Sequence, residues 1–240
     1  MNIGLVTIAF GGYGKFLPQW CAYVAALNPP ASEAVVALGK DHGLTVEARA
    51  AALELLPGLK IVESTRDTMG ALRNAAVREA QTEWVMYLSI DDGIHSNAVH
   101  TLSKHESKAD YLCVSWNSLD TWKPGAPLNF HRGRHPADMK RKTRGRGFIV
   151  GHSPFRKEWF YQVGGYEMHD LPNAPFVTAM VQKGARFVAV KEPVTIYLRR
   201  DDSHASKLGR RGKKFTDVDL KRRAIKLKFL QEQAIRERKW

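Results

Sequence analysis

Two rhythms alternate along the chain. Short, densely apolar runs at residues 3–10, 34–38, 60–62 and 84–90 have the length and content of buried strands. Between them apolar residues return every three or four positions, which predicts helices over residues 16–27, 46–56 and 69–80. In the last of these Met69, Leu72, Ala76 and Ala80 form the stripe. The punctuation agrees with the rhythm: Gly11-Gly12-Tyr13-Gly14 parts the first run from the first helix, and Asn28-Pro29-Pro30 ends that helix. Farther on the pattern predicts a helix over 97–104, a strand over 111–116, and a polar loop, Asn117-Ser118-Leu119-Asp120, between Trp116 and Trp122. Residues 148–160 then hold a strand, a turn at His152-Ser153-Pro154 and a short helix; a helix over 175–183 is stopped by Gly184, and strands cover 186–190 and 194–198. Strands and helices in alternation make this an α/β chain.

Composition adds one outlying feature, charge. At 240 residues with 44% hydrophobic content the chain is long enough for one well-buried core. Its formal net charge is +13, and the excess is localised. Residues 131–147 carry seven Lys or Arg against Asp138, and residues 207–240 carry thirteen against four acids, so a near-neutral body bears one basic loop and one basic tail. In the tail, Val218, Leu220, Ala224, Ile225, Leu227, Phe229, Leu230, Ala234 and Ile235 interleave with the cations as an amphipathic basic helix. Such a helix docks on its own core, lies on an anionic membrane surface, or follows a phosphate backbone. Cys21 and Cys113 show no ligand spacing, no run approaches the roughly 20 apolar residues that span a bilayer, and the chain opens on a strand instead of a leader. The expectation is a reduced, cytoplasmic protein.

The candidate chemistry sits where the run 84–90 ends, at Asp91-Asp92-Gly93. Two adjacent carboxylates at the carboxyl end of a buried strand repel one another and lose hydration, so something positive must compensate. A divalent cation with oxygen ligands, itself holding phosphates, answers that need at a strand end of an α/β sheet, where ligand crevices lie. Asp-Asp-Gly is also ordinary turn chemistry. The glycine turn at 11–14 brings N–H groups to a second strand end, although its spacing is neither a dinucleotide fingerprint nor a P-loop.

The order Gly70, Arg73-Asn74, Ala76, Ala80, Glu83, an apolar strand and Asp91-Asp92 resembles the nucleotide-sugar half of family-2-like GT-A glycosyltransferases. A second block is similar to the same family: Phe155-Arg156-Lys157 through Val163-Gly164-Gly165-Tyr166, then Gly184, Pro193 and Tyr197. The resemblance covers residues 1–206, with a nucleotide-sugar half at about 1–116 and an acceptor half at about 117–206. It implies a Rossmann-like GT-A fold with a mixed, mainly parallel sheet and helices on both faces, extended by the basic C-terminal helix. It also implies a hexosyl- or pentosyltransferase that uses a nucleoside-diphosphate sugar and Mn2+ or Mg2+. The resemblance implies Ala9, Phe10, Gly11, Asp41, Arg73, Asn74, Asp91 and Arg200 around the nucleotide sugar and Asp91 and Asp92 on the metal, with the nearby His204 as a further ligand; Asp170, three residues from the family's acid position and backed by Glu167, is the candidate base for the acceptor hydroxyl.

The chain also departs from the family. The end of its second strand reads Leu38-Gly39-Lys40-Asp41 where the family has a base-reading acid, so Asp41 takes that role only by a shift. Ser89, Asn173 and Arg200 stand where the family has a further acid, an acid of the acceptor site and a metal-binding His. For the acceptor, charge is the clue. A polyanion gains affinity by counterion release from the basic loop and tail, and a hydroxymethylated base in DNA, as modified by viral members of such families, is the first choice. The acceptor-binding set is then Trp116, Trp122, Arg132, Arg134, Lys140, Arg141, Lys142, Arg144 and His152, with Phe155 as a further aromatic to hold a flipped base. A lipid phosphate, a glycan or a protein is the alternative acceptor. A nucleic-acid-binding protein without activity on the same fold is the rival class.

Overall fold

The computed structural model describes residues 1–121, 127–133, 152–168 and 173–199. Its centre is a nine-stranded mixed sheet. Four parallel strands come first: β1 (Ile3–Ala9), β2 (Glu33–Leu38), β3 (Leu59–Glu63) and β4 (Trp84–Tyr87). They are followed by β5 (Gly93–Ile94), β6 (Tyr111–Asp120), β7 (Asn129–His131), β8 (Phe155–Arg156) and β9 (Phe187–Arg199). The order across the sheet is β3-β2-β1-β4-β8-β6-β9-β5, with β7 paired to β6. The long ladders β1–β2, β2–β3, β1–β4 and β6–β9 are parallel, whereas the antiparallel pairings of β4, β5, β6 and β7 are short.

Alternation along the inner strands sends side chains into two apolar layers. Ile3, Leu5, Ala34, Val36, Trp84 and Met86 fill one, with Trp20 and Cys21 of α1 (Leu17–Ala25), Ala52 of α2 (Val46–Leu55) and Val99 of α4 (Ala98–Ser103). Val6, Ile8, Val35, Ala37, Val85 and Tyr87 fill the other. There they meet Leu72 and Ala76 of α3 (Met69–Glu79), Phe160 of α5 (Lys157–Gln162) and Met180 of α6 (Asn173–Gln182). Strands buried on both faces read as continuous apolar runs, which is why the sequence marks β1, β2 and β4 so clearly.

Three elements differ from the sequence expectation. The run 84–90 is a strand only to Tyr87: its partner β1 is matched as far as Val6, the Leu88 N–H closes on the Val6 carbonyl at 2.9 Å, and the chain then turns, with Asp92 N–H donating to Ser89 O at 3.0 Å. Residues 117–120 are strand and not loop, because β6 keeps partners on both sides, β7 and β9, well past Trp116. The two expected strands around Pro193 are one, β9, whose pairing with β6 absorbs register shifts between Cys113 and Trp116. Phe155 is a core residue, 1% exposed between β4 and β6, and so is not available to stack on a base.

Candidate active site at the carboxyl ends of the strands

The chain connects β1 to β2 on one side, while β4 lies on the other. That reversal opens a crevice at the carboxyl ends of β1 and β4, where α/β sheets bind ligands. After buried Ala9, half-buried Phe10 stacks on Tyr13, centroids 6.2 Å apart and planes 12° apart. The exposed Gly11-Gly12 turn is tied down by Gly12 N–H to Asp41 O at 2.8 Å and Gly14 N–H to His42 O. Asp41 is exposed, and it is its carbonyl that engages the turn. A second carboxylate stands at the end of β2, and the sequence reading missed it. Asp67, from the segment before α3, accepts the Lys40 N–H through Oδ1, and a Cβ on Gly39 would lie 3.2 Å from that oxygen.

Beyond β4 the paired acids occupy different environments. Asp91 is half-buried, whereas Asp92 is 3% exposed and held at both oxygens. Leu198 N–H of β9 donates to Asp92 Oδ1 at 2.9 Å, and His152 Nε2 lies 3.1 Å from Oδ2. Beside them stands Tyr197, whose phenol is raised above its ordinary value first by burial and then by the charges of Asp92 and Asp91. Among the described residues no three His, Cys, Asp or Glu side chains converge on one point. Two adjacent carboxylates, one accessible and one rigidly held, fit a hard cation that takes its other ligands from phosphate and water, not one caged by protein. His204 and Arg200 lie outside the described residues.

On the facing helix α3, Arg73 is 5% exposed, with its guanidinium carbon 3.8 Å from the centroid of the Tyr87 ring and 5.6 Å from that of Tyr166; Nη1 donates to Asn173 Oδ1. The neighbouring Asn74 is committed to main chain: Nδ2 donates to Tyr166 O at 2.9 Å and Oδ1 accepts Tyr166 N–H at 2.8 Å. This clamp explains the glycine before Tyr166. Gly165 has φ 79°, and a Cβ there would meet Asn74 Oδ1 at 2.8 Å. Glu167 is exposed just beyond, and Asp170 lies outside the described residues.

The other wall is the ribbon of β6, β7 and β9. Trp116 stacks on His131 with centroids 5.1 Å apart, and His131 Nε2 lies 2.8 Å from Ser118 Oγ. Ser118 Oγ also accepts from Arg199 Nη2 at 2.8 Å, while Arg199 Nε lies 3.2 Å from Asp120 Oδ1. Trp116 pairs with His131, Ser118 with Tyr197 and Asp120 with Arg199, so all six share one face. The period-two order Trp116, Ser118, Asp120 was the available signal for this face. Arg132 is exposed at the end of β7; Trp122, Arg134, Lys140, Arg141, Lys142 and Arg144 lie outside the described residues. The residues that flank this basic segment, Gly133 and Ser153, both stand on β6. A Cβ on Gly133 would lie 2.2 Å from Cys113 O, and Ser153 Oγ accepts Val114 N–H at 3.4 Å.

No family model matches the chain, and no curated protein does. Solved structures do. Residues 1–349 of TarS from S. aureus, in complex with UDP-GlcNAc, superpose with a TM-score of 0.65 at 15% identity, over 86% of this chain and 61% of that one. The mannosyltransferase PcManGT from Pyrobaculum calidifontis, in complex with GDP-Man and Mn2+, gives 0.63 at 15% identity, over 98% and 73%. The fold is GT-A. The chain spans about three fifths of the length of the TarS fragment, and at this identity the likeness establishes the GT-A architecture alone.

Proposed function

We propose that this GT-A chain is a glycosyltransferase that moves a sugar from a nucleoside-diphosphate donor to a polyanionic acceptor. The observation that carries the reading is the Asp91-Asp92 pair at the switch point, with Asp92 immobilised by Leu198 and His152 at 3% exposure. Immobilising a carboxylate out of water is costly unless a cation uses it. Mn2+ or Mg2+, held by Asp91 and Asp92, would offset the charge that develops on the departing diphosphate. Tyr197 keeps its proton and donates toward an anion beside the pair. Phe10, the Gly11-Gly12 turn, Asp67 or Asp41, and Arg73 with Asn74 behind them, border the donor crevice; Asp170, backed by Glu167, takes the acceptor proton.

The acceptor proposal rests on charge and on where that charge is anchored. The segment 134–151 holds six Lys or Arg against Asp138, and its feet, Gly133 and His152, stand on β6 and on Asp92 itself. A neutral acceptor has no use for such a field; a phosphate backbone does. A hydroxymethylated base in DNA is therefore the first acceptor to test, ahead of lipid phosphate, glycan or protein. The test is a transfer assay with mixed nucleotide sugars and Mn2+ or Mg2+ against hydroxymethylated DNA, polyprenyl phosphate and protein. Asp92→Ala should remove transfer while leaving the fold intact, as judged by circular dichroism. Undiminished turnover of that variant without added cation ends the metal-dependent reading of the pair, tight DNA binding with no hydrolysis of any donor favours the binding module, and transfer to lipid or protein alone removes only the DNA acceptor.

A further inference from the structure

Phe130 stands on the outside of the molecule. It is 54% exposed, whereas every other phenylalanine among the described residues is buried or half-buried. It lies in the middle of β7, a three-residue strand paired to β6. Leu128, 52% exposed, precedes it by two positions, and exposed Arg132 follows it by two. One exposed aromatic is ordinary, but two large apolar side chains on an edge strand are a liability that a fold either covers or uses. The sequence that follows points to use, since residues 134–151 hold six Lys or Arg against Asp138. Register also ties Phe130 to the paired acids. It is the Cα partner of Asn117 on β6, Asn117 is that of Ile196 on β9, and Ile196 is that of Gly93 on β5. One row of the sheet therefore runs from Phe130 to the residue after Asp92, three strand spacings or about 14 Å.

We propose that Leu128, Phe130 and Arg132 form a docking strip for an unpaired stretch of nucleic acid, with Phe130 stacked on a base and Arg132 on a flanking phosphate. The inference rests on the polyanionic-acceptor reading and names the polyanion. Charge alone is answered by any polyanion, but an exposed ring beside it calls for a flat apolar face. Lipid headgroups and sugar phosphates carry charge without that face, whereas an unpaired strand presents a base with every phosphate. A bilayer gains little here: two partly exposed side chains cover far fewer methylenes than an acyl chain, and a single acyl chain binds only marginally. In a duplex the base faces cover one another, so the strip selects single strand. Stacked nucleotides rise about 3.4 Å each, so the row of about 14 Å corresponds to about four nucleotides between the stacked base and the paired acids.

Fluorescence anisotropy of the full chain with a labelled single-stranded oligothymidylate of about twelve nucleotides tests the strip without donor or turnover. Phe130→Ala should weaken binding about tenfold at every salt concentration. It should leave the log–log salt slope unchanged, because no charge is removed, whereas Arg132→Ser should lower that slope by about 0.7. Phe130→Trp, which keeps a stacking face, should bind as wild type does, and all three variants should melt with wild type because the side chains are exposed. On a duplex of the same length Phe130→Ala should have no effect, and an equal loss there overturns the single-strand assignment. Two further outcomes overturn the strip alone: a Phe130→Ala variant that binds the oligonucleotide as wild type does, or one that loses only binding to phosphatidylglycerol vesicles. Both leave a salt-dependent wild type, and with it the polyanion reading, in place. A wild type that binds no oligonucleotide even at low salt overturns the strip and the polyanion reading together.

Discussion

At the scale of single residues, the crevice shows how a fixed carboxylate differs from a merely exposed one. Asp67 is exposed yet immobilised by the Lys40 N–H at the mouth of β2, alongside Gly39, Phe10 and Leu72. An anchored acceptor at that place is suited to an N–H of a base or a ribose hydroxyl. If the crevice takes a nucleotide sugar as proposed, replacing Asp67 with Asn should raise KM for that donor by about tenfold and leave kcat unchanged, as expected of a group that only binds. Steady-state kinetics check it, and a fall in kcat at constant KM would place Asp67 elsewhere. Asp67 was not legible in the sequence. It reaches the end of β2 from 27 positions downstream, and a one-dimensional reading looks for an acid on the strand itself.

At the scale of elements, α3 and the turn at Gly165 are a single mechanical unit. Removing the Asn74 amide strands both the N–H and the carbonyl of buried Tyr166, so Asn74→Ala should cost about 2–3 kcal/mol, measured by urea denaturation. The starts of β6 and β9 carry a second latch. Burial pushes the Asp110 carboxyl up, but hydrogen bonds from the Arg186 side chain and N–H, with its charge, outweigh that and hold it below the usual carboxylate range. Because the folded value is depressed, the latch stabilises fully above an ordinary carboxylate pKa of about 3.9 and is lost as pH falls through the folded value. Asp110→Asn should therefore flatten the acid limb of the stability curve and cost about 1 kcal/mol at neutral pH. Equal acid slopes for the two proteins would remove the latch. The elements themselves were largely readable: β1, β2, β4, α1, α2 and α3 lie within a few residues of their periodicity. The extension of β6 to Asp120 was not, since polar Asn117, Ser118 and Asp120 read as loop until β7 and β9 supply ladder partners.

At the scale of the whole molecule, sequence and structure divide the labour. The order of apolar runs and the Asp-Asp strand end carried the GT-A architecture, because both are local and repeated. The contacts that build the site are long-range: Asn74 meets Tyr166 across 92 positions and Leu198 meets Asp92 across 106. Such pairings leave no spacing to read. The charge, by contrast, was visible at once, and it makes a prediction that belongs to the whole surface. Binding of a nucleic acid should fall linearly on a log–log plot against salt, and replacing Arg132, Arg134, Lys140, Arg141, Lys142 and Arg144 with Ser should reduce that slope by roughly five. A salt-independent affinity would remove the polyanion from the account.

The two anchors of the basic segment carry a consequence for how such a protein diversifies. Gly133 is pressed onto the Cys113 carbonyl so closely that no side chain fits, and one residue along the same strand Ser153 receives the Val114 N–H. Entry and exit are thus stapled to adjacent rungs of β6, and among the described residues β6 takes its ladder partners from β7, β8 and β9. With both flanks held in this way, a change in the length or charge of residues 134–151 is expected to leave Gly133 and Ser153 in place on β6, which an unchanged melting temperature of such variants would check. If the proposed transfer holds, acceptor preference could change in a single genetic step, and a foreign segment grafted between the same two anchors is the engineering route to test that.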